Sequence, residues 1–125
     1  MNSKSKTITF AFRKPRFPLI CDLDGDVCAA QSAAMLQRRL GGRELPDDKK
    51  MRFVDSSGES WIFLPDQMVF APMFVPRKWR KIEIIELFNG SRAANEGGLH
   101  YPERRLENRR LDTIVREIAA LLEGK

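Results

Sequence analysis

Apolar and polar residues alternate in "KTITFAFRK" (6–14): Ile8, Phe10 and Phe12 fall on one side, Thr7, Thr9 and Ala11 on the other. That is the period of a half-buried strand, ended by Pro15 and Pro18. "LIC" (19–21) is a second short apolar run, and it leads into three aspartates, Asp22, Asp24 and Asp26. From Val27 to Leu40 the chain is rich in Ala, Met, Leu, Gln and Arg, which predicts a helix with Asp26 as N-cap and Gly41-Gly42 as its stop. "RELPDDKK" (43–50) reads as a loop. Residues 51–75 read as a meander: "MRFV", the turn "DSSG", "ESWIFL", the turn "PDQ", then "MVFAPMFV". Pro72 cannot donate a ladder hydrogen bond, so the strand within 67–75 is expected to lie at an edge or to end there.

After Trp79 the period changes. "WRKIEIIELFNG" (79–90) is helical in composition, with apolar residues around much of the wheel, as in a buried helix. "SRAANEGGLHYPE" (91–103) has no period and reads as a long loop. The last element is the clearest: Leu111, Ile114, Val115, Ile118, Leu121 and Leu122 fill one face of a helix, with Asp112 and Arg116 as an i,i+4 pair elsewhere on it. The expected fold is α+β, an antiparallel sheet of three to four strands packed with about three helices in a single domain spanning 1–125, with residues 1–5 as a disordered tail.

Composition changes this picture little, because 42% hydrophobic and 31% charged residues are ordinary for a globular chain. The longest uncharged apolar run, "MVFAPMFV" (68–75), is far short of the roughly twenty residues a membrane helix needs, and the N-terminus has no apolar signal region. Two cysteines make no disulfide framework, so a reduced, cytoplasmic setting is expected, with Cys21 and Cys28 as buried structural thiols. The single histidine, His100, excludes a zinc site of two cysteines and two histidines. A Cys28–His100 dyad is one nucleophilic arrangement to set beside that structural reading, since a helix N-terminus would lower the Cys28 thiol pKa while the adjacent aspartates would raise it.

Charge is more informative. The net +5 is unevenly spread: residues 1–20 carry five Lys/Arg and no acid, 21–66 are net negative, and 77–116 carry ten bases against six acids. Two basic ends flanking an acidic middle could form one cationic face. Within them, "PRKWRK" (76–81) sets Trp79 among Arg77, Lys78, Arg80 and Lys81, and "ERRLENRR" (103–110) holds Arg104, Arg105, Arg109 and Arg110. Cations beside an aromatic suit phosphate contact with base stacking, so these nine residues are the expected binding residues. The expected function is a small accessory module without enzymatic machinery or cofactor, contacting nucleic acid or another polyanion such as an acidic protein. An alternative is a protein-interaction module, including a homodimer, formed through an edge strand at 67–75.

The aspartates carry the remaining candidate chemistry. As a helix start, Asp26 caps and Asp24 meets the positive helix end, which leaves Asp22 without a role. An EF-hand loop starting at Asp22 would match only its first three ligand positions, since Val27 stands where Gly is needed and Ala33 where Glu is needed. "LICDLDGDV" (19–27) also resembles the first motif of the haloacid-dehalogenase-like phosphohydrolases. That resemblance covers nine residues and implies a parallel sheet, Asp22 as nucleophile, Asp24 as general acid/base, and Mg²⁺ near the carboxylates, with Asp26 a further candidate ligand. Ser56 or Ser57 and Lys78 or Lys81 would then supply that family's hydroxyl and lysine.

Overall fold

A single mixed sheet of six strands runs through the molecule, in the order β1-β6-β5-β4-β2-β3. The structure is a computed structural model and describes residues 7–75 and 77–123. The tail expected over 1–5 lies outside the described residues. The strands are β1 (Thr9–Phe10), β2 (Leu19–Leu23), β3 (Asp26–Ala30), β4 (Met51–Val54), β5 (Ser60–Leu64) and β6 (Val69–Pro72). Among the described residues four helices accompany them: α1 (Ala33–Leu40), α2 (Lys81–Asn89), the short α3 (Arg92–Gly97) and α4 (Leu111–Glu123). All pairings are antiparallel except β1 with β6. The α+β class stands. The sheet is larger than three to four strands and carries one parallel pair, with three long helices.

The main correction falls on residues 22–30. Instead of launching a helix, Asp24-Gly25 forms the two-residue turn of a hairpin, with Leu23 opposite Asp26. Both turn residues have positive φ, 59° and 94°, as a turn matched to the right-handed strand twist requires. Asp-Gly is among the few dipeptides that accept this cheaply, since Gly lacks a Cβ and Asp tolerates the left-handed region. The helix begins at Ala33, where the Ser32 hydroxyl accepts the Met35 N–H at 3.2 Å. Ser32→Ala is therefore expected to cost about 1 kcal/mol. Asp26→Ala should stay within about 0.5 kcal/mol, because Asp26 is half-exposed and its ion pair is to exposed Arg43. Urea denaturation of the two variants checks this ranking.

β2 is central and buried along its length, and its side chains alternate between two cores. Leu19, Cys21 and Leu23 face α1, with Leu36, Leu40 and the aromatics Phe53, Trp61, Phe63 and Phe70. Phe70 is the hub of that core, with four ring centroids between 5.1 and 6.3 Å away. Ile20 faces the other side, where α2, α3 and α4 pack Ile84, Ile85, Phe88, Ala94, Ile114, Val115 and Ile118 over Val27, Ala29 and Val54. The meander at 51–75 and the helices at 81–89 and 111–123 follow the sequence expectation.

Two other expectations are corrected. β6 ends at Pro72 as its chemistry requires, but it is not an edge strand, because β1 pairs with it at Thr9↔Val69 and Phe10↔Phe70. The edges are β1 and β3. The expected loop 91–103 contains α3, capped by Ser91, whose hydroxyl accepts the Ala94 N–H at 3.1 Å. Among the described residues no helix is long and apolar enough to cross a membrane.

Candidate functional site

The three aspartates do not converge. Asp22 lies opposite Val27 and Asp26 opposite Leu23, so the two point to opposite faces of the hairpin, while Asp24 occupies the exposed turn. Asp22 is only 3% exposed and already engaged: one oxygen accepts the Gly25 N–H at 2.8 Å, the other the Arg52 Nε–H at 2.9 Å, with a second Arg52 nitrogen at 2.8 Å. Arg52 is its direct cross-strand neighbour on β4. Asp22 therefore closes the turn and ties it to β4. Asp22 and Asp24 do line one cavity of about 330 Å³ together with Lys49, Lys50, Arg52 and Glu86, while Asp26 stands on the other face of the hairpin and is not part of it. No group of three or more His, Cys, Asp and Glu that could hold a metal occurs among the described residues. The strand-to-helix context and parallel sheet implied by the phosphohydrolase resemblance are replaced by a hairpin in a mostly antiparallel sheet. His100 is exposed beyond α3, whereas Cys28 packs into the α1-side core and hydrogen-bonds to Cys21.

The basic segments fare unevenly. Trp79 is buried at 4% exposure, its Nε1–H donates to the Ser60 hydroxyl at 2.6 Å, and the Arg52 and Arg77 guanidiniums lie over its ring. It is a core residue and cannot stack on a base. Arg77 and Arg80 both pair with Glu83, whose carboxyl reaches back to the Arg80 N–H at 2.8 Å and opens α2. That backbone hydrogen bond, with the two arginine charges, holds Glu83 below the usual carboxylate range. Arg109 lies over the Tyr101 ring and donates to the carbonyls of Pro102 and Arg104. These three cations are thus partly spent inside the protein. Arg104 and Arg105 are exposed in an irregular loop around a short 3₁₀ turn, Leu106–Asn108, rather than on a helix.

Lys81 and Arg110 meet at a groove. Lys81 Nζ donates to the Leu106 carbonyl at 2.7 Å, which ties the two basic segments together. A groove of about 500 Å³ lies beside this contact, lined by Arg16, Ser56, Ser57, Lys81, Arg110, Asp112 and Arg116, with Phe17 and Leu111 as its apolar part. Lys78 Nζ donates to the Ser57 carbonyl at 3.1 Å at its margin. The four lining cations come from three distant parts of the chain, and the one lining carboxylate, Asp112, pairs with both Arg110 and Arg116. The first turn of α4 opens on this groove through Leu111 and Asp112.

One residue that builds the groove escaped the sequence reading. Asp55, 1% exposed at the end of β4, accepts five hydrogen bonds. They come from the Arg16 N–H at 3.1 Å, the Ser57 N–H at 2.9 Å and hydroxyl at 2.6 Å, the Glu59 N–H at 3.1 Å and the Trp61 Nε1–H at 3.0 Å. The Ser56 N–H in turn donates to the Arg16 carbonyl at 2.9 Å. Asp55 thus clamps Arg16 against the Ser56-Ser57 wall. Its only signal in the sequence is an Asp at the start of a turn, "DSSG".

Fold and site together define a small α+β protein with a cation-lined groove at the start of its C-terminal helix. No family model, curated protein or solved structure matches the chain.

Proposed function

We propose that this protein is a non-enzymatic binding module that grips the phosphate backbone of a nucleic acid in the groove formed by Arg16, Lys81, Arg110 and Arg116. One observation carries the reading: cations from three separate parts of the chain, Arg16, Lys81 and the pair Arg110 and Arg116, are brought to one concave surface, where four cations face a single carboxylate. Arg16 and Arg116 point charge into it from an N-terminal loop clamped by Asp55 and from α4. The nine residues expected from sequence narrow to Lys81 and Arg110, with Arg104, Arg105 and Lys78 as flanking contacts. Because Trp79 is buried, binding rests on phosphate contacts and carries little base preference.

A homodimer through residues 67–75 is less well supported, since β6 already has β1 and β5 on its two sides. An acidic protein remains the competing partner, and displacement by an unrelated polyphosphate distinguishes a general phosphate contact from a shape-specific protein contact.

The double variant Arg16→Gln/Arg116→Gln tests the assignment by fluorescence anisotropy with labelled DNA and RNA. Removing two phosphate contacts is expected to weaken binding by at least about tenfold at moderate salt. Arg38→Gln, on exposed α1 away from the groove, should leave it unchanged. Equal losses in both variants would mean that net charge alone, not the groove, attracts the ligand.

A further inference from the structure

The two cysteines form a structural unit that the groove does not use. Cys21 on β2 and Cys28 on β3 stand directly opposite each other in the antiparallel ladder. Opposed residues in such ladders have Cα atoms about 4.5–5.5 Å apart, within the roughly 4.4–6.8 Å that a disulfide spans. Both side chains lie on the α1 side of the hairpin, Cys21 wholly buried and Cys28 half-buried on the edge strand. Both are free thiols.

We infer that Cys21 and Cys28 form an oxidisable dithiol in which Cys28 reacts with a hydroperoxide and Cys21 then closes a cross-strand disulfide. Their environments assign the order. Cys28 is the accessible partner, and the hydrogen bond from the Cys21 thiol draws it below the ordinary thiol value against the opposing effect of burial. The charges of Arg39 and Arg43 act in the same direction, while Asp26 opposes them. Arg39 is held in place by α1 and by its Nε–H bond to the Ala29 carbonyl at 3.0 Å. Cys21 is wholly buried, so a dissolved peroxide meets Cys28 first and Cys21 is left to resolve the oxidised Cys28.

The steps balance. The Cys28 thiolate attacks one peroxide oxygen; an S–O bond forms, the O–O bond breaks, and the departing hydroxide (an alkoxide, for an organic peroxide) takes up a proton. Cys21 sulfur then attacks the sulfenic sulfur; the S–S bond forms, the S–O bond breaks, and the second hydroxide leaves with the Cys21 proton as water. Two thiols lose two electrons and two protons, and hydrogen peroxide becomes two waters. A small-molecule dithiol reverses the change by exchange.

The test treats the reduced protein with stoichiometric hydrogen peroxide, then alkylates and digests it with trypsin. The peptide Phe17–Arg38 contains both cysteines, so the expected product is this peptide, unalkylated and lighter by two hydrogens. Closure should be at least about tenfold faster in the native protein than in the urea-unfolded chain, because the ladder holds the sulfurs together. Cys21→Ser should stop at a sulfenic acid that a 1,3-diketone traps, and Cys28→Ser should keep its thiol. Two alkylated cysteines after native treatment, an intermolecular disulfide, or closure no faster than in the unfolded chain would each overturn the inference. The last comparison uses only the wild-type chain and so does not depend on the variants folding.

Discussion

Asp55→Ala is expected to be the most damaging single substitution outside the apolar core, costing about 4 kcal/mol. The wild-type carboxylate accepts five hydrogen bonds at 1% exposure. Hydrogen bonds to a charged group contribute about 1.5–3 kcal/mol each when removed singly, but five on one carboxylate share their effect. The larger part of the cost is what remains behind. The Trp61 indole N–H, buried with its ring stacked on Phe70, loses the Asp55 oxygen it donates to, and an unsatisfied buried donor costs about 1–3 kcal/mol. Asp55→Asn keeps one carbonyl acceptor and should lose roughly half as much. Thermal unfolding should show the ranking, with the alanine variant lower by about 15 °C. Polyanion binding should fall with it even well below the melting temperature, because Arg16 is no longer tied to the Ser56-Ser57 wall.

Asp22→Ala is the second large effect, at about 2–3 kcal/mol. Asp22 is almost wholly buried while Arg52 is half exposed, so the pair is asymmetric. Removing the carboxylate frees a guanidinium that water can reach, which limits the loss to less than that of a fully buried pair. The Gly25 N–H also loses its acceptor, so the hairpin turn loosens. Asp24→Asn should change stability by less than about 0.5 kcal/mol, because Asn tolerates the same positive φ and Asp24 is exposed. Chemical denaturation of Asp22→Ala, Asp22→Asn and Asp24→Asn separates this structural role from the phosphoryl-transfer role. A nucleophile and its acid/base partner would both be costly to activity, whereas a turn-closing carboxylate is costly to stability at Asp22 alone.

How much of this was legible follows the length scale of each signal. α4 was readable because its apolar residues keep a 3.6-residue period for more than three turns, and the meander because "DSSG" and "PDQ" punctuate it. The hairpin at 22–30 was misread because Asp-Gly serves equally as a type I′ turn and as the approach to a helix. The Ala-rich residues after it have helix propensity that tertiary packing overrides. Ala29 and Ala30 are fully buried on opposite faces of β3, where small side chains let helices approach from both sides. α3 is too short to show a period. The candidate groove had only half a signal. Lys81 and Arg110 stood in visible basic runs, but Arg16 and Arg116 join them only through the fold, and Trp79, the most suggestive residue beside them, is spent on the core.

The central claim is that cations in one groove hold a phosphate backbone. Its most direct test is the salt dependence of nucleic-acid binding by the wild-type protein. With three to four phosphates contacted, binding should be measurable at about 50 mM salt, and log K should fall with log salt at a slope of about −3 on duplex DNA. The slope should be shallower by about two in Arg16→Gln/Arg116→Gln and unchanged in Arg38→Gln. No binding at that salt, or a slope that the groove variant leaves intact, would contradict the account.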